Sequence, residues 1–248
     1  MSDWLIERDC DTAVRLHERS ADLVAGVVGP SSMGVPRRIR VLDVDAAALV
    51  LGRAQPVGHV DPARAAAAGV EVARRRSGGG AVLVIPHGAV WIDIVVPAGD
   101  PVWEDDIGRA MWWVGEAWVA ALDEVGLPHG EVWRGPLQRN AWSDRVCFAG
   151  LGAGEVTVGG KGGRGAKIVG VAQRRTRRGA LFQCVALVDW EPEHTLELLT
   201  LPETRRRAGA AELAGVATGV GDRAEALVEA VIRQVVAAGT ARGGARLP

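Results

Sequence analysis

Arg74-Arg75-Arg76-Ser77-Gly78-Gly79-Gly80-Ala81-Val82 and, far downstream, Lys167-Ile168-Val169-Gly170-Val171-Ala172-Gln173 are the stretches whose residue types could do chemistry. Three consecutive glycines between strand-like runs let backbone N–H groups approach a ligand with no Cβ in the way. Such a cradle suits a carboxylate, a phosphate or an acyl carbonyl. Arg75 and Ser77, together with Gly78, Gly79 and Gly80, are therefore candidate substrate-binding residues. Lys161 and Lys167 are the only lysines in a chain that otherwise carries its positive charge on arginine. Lys167 opens a strand-like alternation, where its ammonium either faces water from an edge strand or is aimed at negative charge developing on an acyl carbonyl or an α-phosphate.

Cys147 lies in Asp144-Arg145-Val146-Cys147-Phe148-Ala149-Gly150, a polar segment ended by glycine. A cysteine is more often a small buried hydrophobe than a nucleophile. Thiolate chemistry needs a depressed pKa, which nearby cations can supply, so Cys147 is the candidate nucleophile and Cys10 and Cys184 are read as structural. The second glycine cluster, Gly159-Gly160-Lys161-Gly162-Gly163-Arg164-Gly165, lacks the GxxxxGK[ST] order of a phosphate loop and reads as an expanded turn between strands. No pair of histidines and no pair of cysteines has metal-ligand spacing, so no metal site is expected.

In this order and spacing, RRxSGGGAV, Cys-Phe and KIxGxAQ resemble the lipoate–protein ligase and octanoyltransferase superfamily, whose fold is shared with biotin–protein ligases. Leu51-Gly52-Arg53-Ala54-Gln55 resembles the family's strand-end GR-Q element, and Arg174 to Leu181 resembles the strand pair after the lysine. The resemblance implies one α+β catalytic domain over residues 1–248, a mixed β-sheet flanked by helices, with a helical C-terminal part from about residue 193. A Cys-Phe dipeptide upstream of KIxGxAQ is similar to cysteine-dependent octanoyltransferases and lipoyl amidotransferases. It implies an octanoyl or lipoyl thioester on Cys147, with Lys167 and the glycine loop at the acyl carbonyl and Gln173 among the binding residues. The acyl tunnel would be lined by apolar side chains, with Trp133 or Trp142 as candidates. The donor would be an acyl carrier protein or a lipoylated protein, and the acceptor a lysine of a lipoyl-domain or glycine-cleavage H-type protein. A carrier thioester is already activated, so no cofactor would be required.

ATP-dependent lipoate ligases offer a second pattern, in which ATP and magnesium make an acyl-adenylate and Lys167 contacts its α-phosphate. Their H-D-x-G-N element is replaced here by Leu83-Val84-Ile85-Pro86-His87-Gly88. The transferases' Q-H-G element appears as Gln183-Cys184-Val185, and Val171 stands where relatives carry Ser or Thr. The absent histidine leaves a third reading open, a homologue that binds the acyl group without turnover.

An apolar content of 48% over 248 residues at net charge -1 supports a buried core and argues against disorder or a polyanion binder. No nucleic-acid partner is expected, and the arginine clusters Arg37/Arg38/Arg40, Arg174 to Arg178 and Arg205 to Arg207 read as solvated faces or as docking sites for an acidic carrier. No leader-like segment opens the sequence and no run of about 18 apolar residues exists, so a cytoplasmic location without membrane attachment is expected. The spacing further predicts a loop over Ala21 to Pro36, a short helix after Asp61-Pro62, and a long amphipathic helix from Asp100-Pro101 to about Val125. Strands are expected around Ala48–Leu51, within Val70–Pro97, and at four segments between Glu131 and Asp189. Helices should follow from Glu193, with Ala224 to Ala237 the clearest.

Overall fold

The structure, a computed structural model, describes residues 4–25, 36–160, 162 and 165–244, the last three of these as backbone only. In chain order the strands and helices are β1 (Trp4–Asp11), α1 (Ala13–Ala25), β2 (Arg37–Val44), β3 (Ala48–Leu51), α2 (Pro62–Ala67), β4 (Glu71–Arg74), β5 (Val82–Val84), β6 (Ala89–Pro97), α3 (Trp112–Glu124), β7 (Gly130–Val132), β8 (Val156–Val158), β9 (Ala166–Arg175), β10 (Gly179–Leu187), α4 (Pro192–Glu197), α5 (Glu203–Leu213) and α6 (Ala224–Gly244). The larger sheet runs β1-β2-β6-β10-β9-β8-β7. Its pairs are antiparallel except β1 with β2. The smaller sheet runs β4-β3-β5, with β3 parallel to β4 and antiparallel to β5. Mixed sheets flanked by helices make this the expected α+β arrangement.

Alternation along β6 decides which face meets which layer. Val90, Ile92, Ile94 and Val96 point to a core shared with Trp113, Trp118 and Leu122 of α3 and Leu227, Val231 and Val235 of α6. Trp91 points the other way, into a cluster with Leu16 of α1 and with Val50 and Val84 of the smaller sheet. β10 repeats the pattern: Phe182 and Cys184 pack under α3, leaving Gln183 and Val185 on the opposite face. The two sheets thus enclose the space in which the glycine loop, Trp91 and Gln183 meet.

Two sequence expectations need correction. Residues 100–111 are turns, not the first half of a helix, and α3 begins only at Trp112. The reason lies in the acids: Asp100 takes a bidentate bond from Arg37 (2.6 and 2.9 Å) and accepts the Val102 N–H, while Asp106 accepts the N–H groups of Gly108 and Arg109. Such side-chain-to-backbone bonds compete with the helix ladder, and Ile107, which falls in the segment expected to form that amphipathic helix, is 64% exposed. The longest helix is α6. The loop expected over Ala21 to Pro36 is helical as far as Ala25, and its remainder up to residue 35 lies outside the described residues.

The β2 arginines are also not a docking face. Arg37 pairs with Asp100, Arg38 with Glu7 and Arg40 with Asp9, which commits the cluster to holding β1 and the 100–111 turns against the sheet.

Trp118 is fully buried between α3 and the larger sheet. Trp118→Ala is expected to lower stability by about 3–5 kcal/mol, read as a lower midpoint in urea unfolding followed by circular dichroism.

Candidate active site

Arg75 follows β4 directly, and its buried guanidinium holds the glycine loop. Nε and Nη2 donate to the Gly78 carbonyl (3.1 and 2.7 Å), Nη2 also to Gly80 O (2.8 Å), and Nη1 to Val50 O of β3 (3.1 Å). The loop then turns through Gly79 at φ +100, a conformation open to glycine. A Cβ on Gly79 would stand 2.7 Å from Arg75 Nη2 and 3.4 Å from Cys147 Sγ. Among the described residues no protein acceptor takes the N–H groups of Gly78, Gly79 or Gly80.

Cys147 starts a 3-10 turn, Cys147–Ala149, tied to the end of the glycine loop because Ala81 N donates to Arg145 O and Cys147 N donates to Ala81 O, both at 2.8 Å. Gln55 fastens the same segment from the GR-Q element: its side chain donates to Arg145 O and accepts from Gly52 N. The half-buried thiol lies 3.5 Å from Arg75 Nη2. Lys167 reaches the cysteine from behind. Its Nζ donates to Cys147 O (3.3 Å) and Gly150 O (3.0 Å), pairs with Glu155 Oε1 at 2.7 Å, and sits 5.0 Å from the Phe148 ring centre. Lys167 and Glu155 are only 3% and 7% exposed, and β9 is an interior strand, so the edge-strand alternative for Lys167 is ruled out. Glu155 completes the brace by accepting Gly152 N and Val171 N.

Two spaces meet at the thiol. One is an open cleft of about 600 Å³ whose walls include Gly78, Gly79, Cys147, Glu155, Lys167 and Gln173. The other is a small inner chamber of about 50 Å³, walled by Val50, Val82, Val84, Trp91, Phe148 and Val185 and bordered by Arg75, Cys147, His17 and Gln183. Cys147, Glu155, Val171 and Ala172 belong to both, so the thiol stands at the doorway between them. Behind the chamber Ser77 Oγ donates to Gln183 Oε1 (2.9 Å) and the Gln183 amide meets His17 Nδ1 (3.1 Å). His17 packs against Trp91, the rings tilted by 43° with centres 4.7 Å apart. Burial, with Arg75 nearby, pushes the His17 imidazole down to about 3, so it is neutral at physiological pH.

The sequence profile of the lipoyl protein ligase A/B catalytic domain matches residues 31–238. The chain belongs to that family. Its fold is that of solved lipoate-protein ligases. A bi-partite lipoate protein ligase from Thermoplasma acidophilum superposes with a TM-score of 0.70 at 18% identity, covering 96% of this chain and 84% of that one. A lipoate-protein ligase A bound with ATP gives 0.64 at 19% identity, covering 96% and 85%. The P. falciparum protein LipL1 in complex with lipoate gives 0.61 at 14%, covering 96% and 63%. A search of curated protein sequences gives no match.

Of the residues singled out from the sequence, Cys147, Lys167, Gly78, Gly79 and Gln173 share the cleft. Gln173 has no hydrogen-bond partner on either side-chain atom. Arg75 borders the inner chamber, whereas Ser77 and Gly80 stand behind the wall, Gly80 packed so closely on Val146 that a Cβ would come within 2.6 Å of its nitrogen. Trp133 and Trp142 line neither space; Trp142 packs on Gly209 of α5, and the chamber's tryptophan is Trp91. Lys161 lies outside the described residues. Cys184 is fully buried under α3 and burial pushes its thiol up, while Cys10 is exposed on β1. Sequence reasoning missed Glu155 and His17. An acid directly before a strand and two ahead of the buried Thr157 was a weak signal for Glu155; His17, on an amphipathic helix with no motif, carried none.

Lys167→Ala is expected to cost about 3–5 kcal/mol of stability, because Glu155 would be left as an uncompensated buried charge. Replacing both partners, Glu155→Leu with Lys167→Met, should recover most of the loss in denaturant titrations.

The His17 imidazole, held low in the folded state, takes up a proton in the unfolded state below pH about 6.5 and in the folded state only near 3. The unfolded state therefore binds more protons over that window, and His17 should reduce stability as pH falls through it, by about 1.4 kcal/mol per pH unit. Buried Asp93, whose carboxyl is pushed up by burial, acts with the opposite sign. Comparing the wild type with His17→Gln cancels that contribution. The stability difference between the two should shift in the variant's favour between about pH 7 and pH 5.

Proposed function

We propose that this chain transfers an octanoyl or lipoyl group to a lysine of a lipoyl-domain or glycine-cleavage H-type protein through a thioester on Cys147, acting as one catalytic unit in the reducing cytoplasm. The observation that carries the reading is the position of the Cys147 thiol, at the doorway between an apolar chamber and an open cleft and beside Gly79 of a loop whose glycine N–H groups have no protein acceptor among the described residues. The acyl chain would enter the chamber, which at about 50 Å³ has to widen around it, and leave its carbonyl beside the thiol. Attack by the thiolate forms the new thioester and expels the donor's thiol, from an acyl carrier protein or a lipoylated protein, which takes a proton. In the second half the acceptor amine attacks the Cys147 thioester, an amide forms, and the thiolate leaves as the amine loses its proton. Glycine N–H groups would meet the negative oxygen in both halves.

Lys167 acts in this reading as a positioning residue, its hydrogen bonds spent on Cys147 O, Gly150 O and Glu155. Family membership supports action on lipoate or its precursor, and the T. acidophilum ligase, described together with its E2 lipoyl domain, supports a lipoyl-domain acceptor.

The second reading, an ATP-dependent ligase, draws on the ATP-bound relative. The described donor set fits a triphosphate poorly: Arg75 is spent on carbonyls, Lys167 is paired with Glu155, and Arg139, the remaining cleft arginine, pairs with Asp144. The transfer reading uses Arg75 and Lys167 only to hold the glycine loop and the Cys147 turn in place.

Incubation with octanoyl-carrier protein is expected to leave a hydroxylamine-labile octanoyl adduct, seen by intact mass, that Cys147→Ala abolishes along with transfer to a lipoyl domain. Undiminished, ATP-dependent transfer by Cys147→Ala would replace this reading with the ligase.

A further inference from the structure

The inner chamber is apolar on most of its wall, yet one wall group is a hydrogen-bond donor without an acceptor. Ser77 Oγ donates to Gln183 Oε1, which turns the Gln183 amide nitrogen toward His17 Nδ1 as donor. Nδ1 is therefore the accepting nitrogen of a neutral ring, and the proton lies on Nε2. Among the described residues nothing accepts from that Nε2–H, although His17 is only 8% exposed and lines the chamber. The ring is buried on α1 against Trp91, tilted 43° to it, which holds it in the chamber wall. A saturated chain filling the chamber would strip water from this donor and give nothing back, which is the costly way to leave a buried polar group. An acceptor on the chain would meet it.

We infer that the chamber is built for an acyl chain that itself carries a hydrogen-bond acceptor, met by His17 Nε2–H, in preference to a plain saturated chain of the same length. This rests on the acyl-handling reading and sharpens it, because it makes His17 a specificity-determining residue contributed by a helix outside the sequence motifs. The acceptor can be an oxygen, as in a hydroxy- or oxo-acyl group, or the sulfur of a dithiolane.

Binding separates these without requiring turnover. Octanoic acid, a series of hydroxy- and oxo-octanoic acids with the oxygen at successive carbons, and lipoic acid are titrated into the full chain by calorimetry, with the change in total tryptophan fluorescence as a second signal. At least one acceptor-bearing acid should bind about tenfold more tightly than octanoic acid, and the position or element that wins identifies the acceptor. In His17→Phe, which keeps an aromatic ring against Trp91, that ratio should fall to about one; in His17→Gln, which restores an N–H donor, most of it should return. Octanoic acid binding the wild type as tightly as every acceptor-bearing acid overturns the inference, whatever the variants do. So does a ratio that persists in a folded His17→Phe. If no acid binds at all, the acyl-site reading falls with it, whereas tight but equal binding sinks this inference alone.

Discussion

Arg75 is buried with no carboxylate paired to it among the described residues; its charge is met by the carbonyls of Val50, Gly78 and Gly80. A buried cation is costly unless its donors are satisfied, and three carbonyls from two chain segments satisfy this one only if the glycine loop folds back over β3. That requirement places Gly79 at positive φ, brings the loop onto the Cys147 turn, and leaves the N–H groups of Gly78, Gly79 and Gly80 without a protein acceptor among the described residues. The cysteine's position is a result of this as much as of its own segment. A lysine could not replace Arg75, since a point charge cannot bridge Val50, Gly78 and Gly80 with one planar fork.

The second brace, Lys167 with Glu155, has the same logic in another form. Both groups are buried, and both are also bonded to backbone: Lys167 to Cys147 O and Gly150 O, Glu155 to Gly152 N and Val171 N. The pair ties β9 to the turn that presents the thiol, so the two sides of the doorway are fixed by charge-assisted bonds to main chain. Neither brace uses a surface ion pair.

What could be read from residues alone follows from how local each signal was. The glycine loop, the capped helix after Asp61 and the strands from Ala48 to Leu187 declare themselves through short-range backbone requirements, and the family motifs tie them to one fold. Cys147 and Gly79 could be placed together because both lie in motif segments. His17 could not, because it reaches the chamber only through the packing of α1 on Trp91, a contact between segments far apart in sequence. Residues 100–111 misled for the opposite reason: their apolar spacing suits a helix, but Asp100 and Asp106 give their carboxylates to backbone N–H groups and to Arg37, and local bonds override periodicity.

The three thiols stand at three depths. Cys10 is open to water on an edge strand, Cys147 is half-buried at the doorway, and Cys184 is sealed beneath α3 with its proton held by burial. An alkylating reagent would therefore mark them in order, the first as a measure of plain exposure, the second as a gauge of whether the doorway is occupied, and the third only when the sheet parts from its helices. The fold thus carries its own internal ruler: a single labelling time course distinguishes a blocked site from a loosened core, without any probe added to the sequence.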